Sequence, residues 1–211
     1  MEMDEMKVEI INYTPLEIAL EAGLICTDSE DKIDQYNAVE FIGKLVKSGH
    51  ESVIEHITYN IRILDVSRAL LQELARHRHA SLSVKSTRWA LKKFIGNLNK
   101  VYPDISNTKL DSNHIDLLMQ LDEISEQLDE LLIIATKSGL PNDIVKYYLQ
   151  ESLATKLMYT VNARELRHIF ELRLSNRALQ EFQQLCKEIY KALPKDHLFI
   201  YEDIFKEYGL I

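Results

Sequence analysis

Ile57, Tyr59, Ile61 and Ile63 fall on one side of an extended chain, while Thr58, Asn60 and Arg62 fall on the other. Strict alternation at period two marks a half-buried strand, because a helix would scatter these residues around its circumference. Lys7 to Tyr13 carries a similar pattern with Val8, Ile10 and Tyr13, and is ended by Thr14-Pro15. Two such runs, each with one polar face, are expected to pair antiparallel. The rest of the chain reads as helical. Pro15 opens a brief helix through Leu16, Ile18, Ala19 and Leu20. Asp34 is expected to cap a helix that buries Ala38, Phe41, Ile42, Leu45 and Val46 and stops at Ser48-Gly49. Asp65 or Ser67 caps the next helix, which runs through Ala69, Leu70, Leu71 and Leu74. The clearest helix spans residues 111–137, with Ile115, Leu118, Leu121, Leu128, Leu132 and Ala135 on one face and carboxylates on the other. Pro141 reopens a helix toward Lys146 and Leu149, and residues 164–174 and 177–193 are helical, parted only by Ser175-Asn176. The expected fold class is α+β: a helix-rich single domain, residues 1–211, with a small antiparallel sheet.

Charge singles out one stretch. The chain holds 25 Lys and Arg against 33 Asp and Glu, a net charge of −8. Residues 74–103 nevertheless contain seven basic residues (Arg76, Arg78, Lys85, Arg88, Lys92, Lys93 and Lys100) and no carboxylate. An acidic chain with such a window is expected to bind an anion there. Arg76, His77 and Arg78 point about 100° apart if helical, so they splay toward different groups or the helix ends among them. With Ser81, Ser83, Ser86, Thr87 and Arg88 they have the makings of a phosphate cradle, since guanidinium forks bind phosphate oxygens in pairs and hydroxyls fill the remaining lone pairs. The same residues would also compose a solvated basic helix and loop.

Several classes of function are disfavoured. The basic window is too small for sequence-independent duplex binding, so no nucleic acid is expected. The longest apolar run, Leu131-Leu132-Ile133-Ile134-Ala135, is too short for a bilayer, and the carboxylate-rich N-terminus does not resemble a signal peptide. A cytoplasmic protein is expected. Cys26 and Cys186 form no metal or nucleophile motif. His50-Glu51 resembles half of a zinc-hydrolase helix, but Ile54 stands where the second histidine belongs, so no metal site is expected. The six glycines match no phosphate-loop spacing, so a bound nucleotide would be held by side chains.

A second basic cluster lies in Asn162-Ala163-Arg164-Glu165-Leu166-Arg167-His168-Ile169-Phe170-Glu171-Leu172-Arg173. On a helix Arg164 and His168 share one face, whereas Arg173 ends an apolar stripe through Leu166 and Phe170. Arg173 is then either a snorkelling residue at the core edge or a donor aimed into a partly dry pocket. Arg167 and Glu171 read as a surface pair of little energetic weight.

Arg76-His77-Arg78 followed by seven residues and Ser86, with Arg88 two further on, resembles the signature of the flavin-dependent thymidylate synthases. Ser48 to His56, Asn162-Ala163-Arg164 and Phe170-Glu171-Leu172-Arg173 match the same family in order and spacing, so the likeness runs from about residue 8 to 190. The resemblance implies a homotetramer whose active sites are shared between subunits. It implies that FAD is held by Ser52, Arg76, His77, Arg78, Asn162, Arg164 and His168. It assigns dUMP to Arg76, Ser86, Thr87, Arg88, Lys146 and Arg173, with Arg173 against the pyrimidine. His50 and Trp89 would flank the flavin and the folate carbon donor, and His50 and Arg173 are the implied catalytic residues. The implied reaction is methylation of dUMP to dTMP, with methylenetetrahydrofolate as carbon donor and NADPH as reductant. The chain differs from the family pattern at Val84, where a Glu is common, at Glu73 in place of Gln, at Lys146 in place of Arg and at Thr87 in place of Gly. Two alternatives stand beside this reading: a paralogue acting on a different pyrimidine nucleotide, and a non-catalytic nucleotide- or RNA-binding protein.

Overall fold

The computed structural model describes residues 6–88, 91, 98–106 and 108–211. Trp89, Lys92 and Lys93 lie outside the described residues. Strand β1 (Lys7–Tyr13) and strand β2 (Thr58–Ser67) form where alternation predicts them, and they pair antiparallel. Tyr59, Ile61 and Ile63 are fully buried on the inward face of β2. Two further strands complete the sheet, β3 (Ala80–Val84) and β4 (Ala154–Asn162), in the order β1-β2-β4-β3, every pairing antiparallel. In β4, Leu157, Tyr159 and Val161 alternate inward, and Thr155 joins them. Across the opposite face the Asn60 amide donates to Thr160 Oγ1 at 2.8 Å.

The helices α1 (Leu16–Ile25), α2 (Ala38–Lys47), α3 (Arg68–Leu74), α5 (Ala163–Arg173), α6 (Gln180–Ala192) and α7 (Glu202–Glu207) supply most of the rest of the main core, with Val53, Ile54 and Ile200 added from 3-10 turns. The α6 helix lies against β1, α3 and α5, burying Phe182, Leu185, Cys186 and Ile189. It begins at Gln180, three residues after the expected start.

The caps correct one expectation and decide another. Asn37, not Asp34, caps α2 by accepting from the Glu40 N–H at 3.1 Å, and Asp34 lies within a separate 3-10 turn, Glu30–Gln35. Ser67 caps α3, its Oγ accepting from the Leu70 N–H at 2.9 Å. Asp65 instead occupies a left-handed conformation, φ 57°, where the register of β2 against β4 shifts between Leu64 and Val66.

Helix α4 (Ser112–Lys137) opens with a capping box. Asp111 Oδ1 accepts from the His114 N–H at 2.9 Å, and the Asp111 N–H donates to His114 Nδ1 at 3.3 Å. Its apolar stripe is not buried along its length. Leu132 packs with Leu91 and Val145 in a small second cluster, supported by Leu128 and Ala135, whereas Ile115 and Leu121 remain 49% and 60% exposed. A helix of 26 residues extends roughly 39 Å. Among the described residues its cover lies over the C-terminal half, from Ser125 onward.

Candidate functional site

Strand β4 passes into α5 without a loop. Asn162 is the last strand residue and also the helix cap, its Oδ1 accepting from the Glu165 N–H at 2.8 Å. The Ala163 N–H donates to Ile57 O at 2.8 Å, which binds the head of α5 to the segment leading into β2. That segment is a 3-10 turn, Glu51–His56, preceded by exposed His50. On the other side, α3 ends at Leu74 and residues 75–79 turn back into β3, whose pairing with β4 sets the turn beside α5. Three sequence-distant segments thus share one wall.

An open cleft of about 390 Å³ is lined by Glu51, Glu55, His79, Asn162, Arg164, Glu165, His168 and Glu171. Arg164 and His168 share its floor at helical spacing, as the sequence predicts. Arg164 is half-exposed and pairs with Glu55, with Glu51 at 3.9 Å. The His168 Nδ1 lies 4.0 Å from Glu171. Ser52 and Arg78 are exposed in the segments flanking the cleft.

His77 turns inward and is only 6% exposed. Its Nε2 accepts from Arg173 Nε at 3.0 Å, and its Nδ1 lies 3.5 Å from Glu165 Oε1. This geometry defines the tautomer: a nitrogen that accepts from a guanidinium carries no proton, so the ring hydrogen sits on Nδ1 and faces the carboxylate. Burial pushes the imidazole pKa down to about 4, and the neighbouring charges of Arg173, His168 and Arg76 push the same way. The ring is neutral at ordinary pH.

Arg173 departs from the snorkelling alternative that helix periodicity allows. Its side chain is 16% exposed, its guanidinium lies over the Phe182 ring at 4.8 Å, and its Nη1 donates to Glu73 Oε2 at 2.8 Å. A snorkelling residue would send this group to water; here it is held at the wall. The other oxygen of Glu73 is 3.5 Å from Arg76 Nη1. Glu73 is therefore compensated twice, and the last turn of α3 brings a carboxylate to two arginines.

The remaining predicted residues gather elsewhere. Ser86, Thr87 and Arg88 follow the far end of β3, four residue steps and roughly 13 Å beyond Ala80. Arg88 Nε lies 3.0 Å from Asp143, and the Asn142 amide donates to Arg88 O at 2.8 Å. Lys146 follows in the same segment, its Nζ 5.4 Å from the Tyr147 ring. One chain thus presents two sets of groups, Arg76, His77 and Arg173 at one end of β3, and Ser86, Thr87, Arg88 and Lys146 at the other.

Arg167 corrects the surface-pair expectation. It is 5% exposed, forms two parallel bonds to Asp203 at 2.8 and 2.7 Å, reaches Glu51 at 3.1 Å and donates to Ile200 O. Glu171, the expected partner, is 3.9 Å away. The guanidinium holds the Asp203 carboxyl below the usual carboxylate range. A signal for this burial exists, because Arg167 stands four residues after Ala163 and three before Phe170, both in the core. Glu73 and Glu165, which hold Arg173 and His77, carry no comparable sequence signal. Among the described residues no group of three or more His, Cys, Asp or Glu side chains is placed to hold a metal.

Comparisons with known proteins agree on one family. Residues 9–197 match the family model described as thymidylate synthase complementing protein. The chain is 36% identical over 211 residues to a flavin-dependent thymidylate synthase of Helicobacter pylori, covering 95% of this chain and 100% of that protein. A Campylobacter jejuni protein of the same name is 37% identical over 204 residues, covering 93% and 96% of the two chains. A crystal structure of thymidylate synthase X from Helicobacter pylori with FAD and dUMP superposes with a TM-score of 0.79 at 35% identity, covering 96% of this chain and all of that one.

Proposed function

Because the chain belongs to the flavin-dependent thymidylate synthase family, we propose that it makes dTMP from dUMP, with methylenetetrahydrofolate as carbon donor, NADPH as reductant and FAD as resident cofactor. The observation that carries the assignment of residues is the shared wall: β3–β4 pairing brings the turn holding Arg76, His77 and Arg78 against the helix holding Arg164, His168 and Arg173. The donor set there suits a flavin dinucleotide. Guanidiniums of Arg78 and Arg164 match a diphosphate, the Asn162 amide nitrogen is not used by its capping bond, and Ser52 lies on the neighbouring turn. Of the cleft carboxylates, Glu51 is held by buried Arg167, whereas Glu55 pairs with Arg164 and gives up that partner when the diphosphate binds. When bound, the flavin supplies the reducing equivalents.

The residues of this chain divide the remaining work. Arg76, Ser86, Thr87, Arg88 and Lys146 bind the nucleotide, chiefly its phosphate. Arg173 faces the pyrimidine, where charge builds up as the carbon–carbon bond forms. A guanidinium already fixed by Phe182 and His77 meets that charge without first reorganising. Neutral His77 accepts from Arg173 Nε and so sets the direction of the fork. His50, exposed at the mouth of the same segment, is assigned to the flavin and the carbon donor.

The nucleotide groups of one chain stand at opposite ends of β3, so a second copy completes the site. The uncovered apolar stripe of α4 supports a homo-oligomer, with a tetramer as the proposed form. No described helix is long and apolar enough to cross a membrane, and a cytoplasmic location belongs to the same proposal.

The test is direct. Purified protein should be yellow and should convert dUMP to dTMP when given the folate and reductant. Arg173→Ala should retain flavin absorbance and lose dTMP formation, and normal turnover by that variant would remove Arg173 from the mechanism.

A further inference from the structure

Glu73 stands where it is least expected. It lies in the last turn of α3, and a negative charge at a helix C-terminus opposes the helix dipole. Its two oxygens reach two different guanidiniums, Arg173 at 2.8 Å and Arg76 at 3.5 Å. The function proposed above assigns both arginines to the nucleotide. Arg76 is assigned to the phosphate and Arg173 to the pyrimidine, so a carboxylate that bridges them competes with the phosphate at Arg76, while its bond to Arg173 is one that a neutral acceptor can replace. Its side chain is about one-third exposed, so it is accessible from the site and is not sealed in the core.

We infer that Glu73 is an internal counter-ion, held by Arg76 and Arg173 in the empty site, which the incoming nucleotide displaces and which thereby sets the affinity for the nucleotide's phosphate. This inference rests on the dUMP reading. The bridge keeps two like charges together in a partly buried wall at the cost of weakening their attraction for a ligand. A glutamine of the same length retains an acceptor for Arg173 and removes the competing charge. Hydrogen bonds to a charged acceptor are about twice as strong as those to a neutral one, which corresponds to roughly tenfold in an equilibrium constant.

The experiment is calorimetric titration of the flavin-loaded protein with dUMP and, separately, with deoxyuridine, which lacks the phosphate. Glu73→Gln should bind dUMP roughly tenfold tighter than wild type while changing deoxyuridine affinity by less than about twofold. Glu73→Asp, which retains the charge, should stay near wild type for both ligands. If Glu73→Gln binds dUMP no tighter, or gains equally for deoxyuridine, Glu73 is not a competing counter-ion and the inference fails. If wild type and Glu73→Gln both leave dUMP unbound while flavin remains, the functional reading itself falls, and this inference with it. Flavin absorbance and thermal unfolding of each variant separate these outcomes from misfolding.

Discussion

The buried, neutral state of His77 ties stability to pH in a calculable way. The imidazole titrates at about 4 in the folded chain, against about 6.5 when exposed. Between these values the unfolded chain takes up a proton that the folded chain refuses. Stability contributed by this group is therefore present above about pH 6.5 and lost as pH falls toward 4. The linkage relation puts the loss from this one group at about 2 kcal/mol between pH 7 and 5, and about 3 kcal/mol by pH 4. Protonation also destroys the acceptor for Arg173 Nε, which lies 3.0 Å away. Other groups titrate over the same range, so the informative quantity is a difference between two proteins. His77→Gln retains an acceptor for Arg173 and cannot titrate. Urea unfolding of both proteins at pH 7, 5 and 4 should show wild type losing about 2–3 kcal/mol more than the variant across that span. Parallel curves, agreeing within about 0.5 kcal/mol, would refute the buried neutral imidazole.

Two further outcomes follow from contacts away from His77. Arg167→Ala removes the buried donor of Ile200 O and the partner of Asp203, whose carboxylate is itself largely exposed, and should cost about 2 kcal/mol in urea unfolding through lost packing and an unsatisfied carbonyl; a loss under about 0.5 kcal/mol would contradict its anchoring role. Leu121→Glu with Ile124→Glu places two charges on the exposed stripe of α4 and should lower the mass found by sedimentation while leaving helical content intact; unchanged mass would exclude this stripe from the subunit interface.

Much of this fold is legible from residue period, and the failures have physical causes. Strands β1 and β2 are readable because their two faces differ in polarity. Strand β4 carries the same alternation, Thr155, Leu157, Tyr159 and Val161, but runs directly into the Asn162 motif with no turn residue to mark its boundary. Strand β3 lies at the sheet edge, with exposed Ser81 and Ser83 against half-buried Leu82 and Val84. Hydroxyls in that setting look like phosphate ligands before pairing is known. Helix α4 shows the limit of amphipathicity: an apolar stripe states that a face will be covered, not that the same chain covers it. At the site, Arg164 with His168 was legible from helical spacing. The Glu73–Arg173–His77–Glu165 arrangement was not, because it joins α3, the turn after it and α5 across about a hundred positions of sequence.

The direct passage from β4 into α5 has a mechanical consequence. Thr58 is registered against Asn162, and the next residue is already helical and bonded to Ile57 O. Arg164, His168 and Arg173 therefore ride on the sheet as on a single casting, and a one-residue slip of β4 would re-aim all three. Residues 75–79, the short link between α3 and β3, are tied to the same casting by the bond between His77 and Arg173.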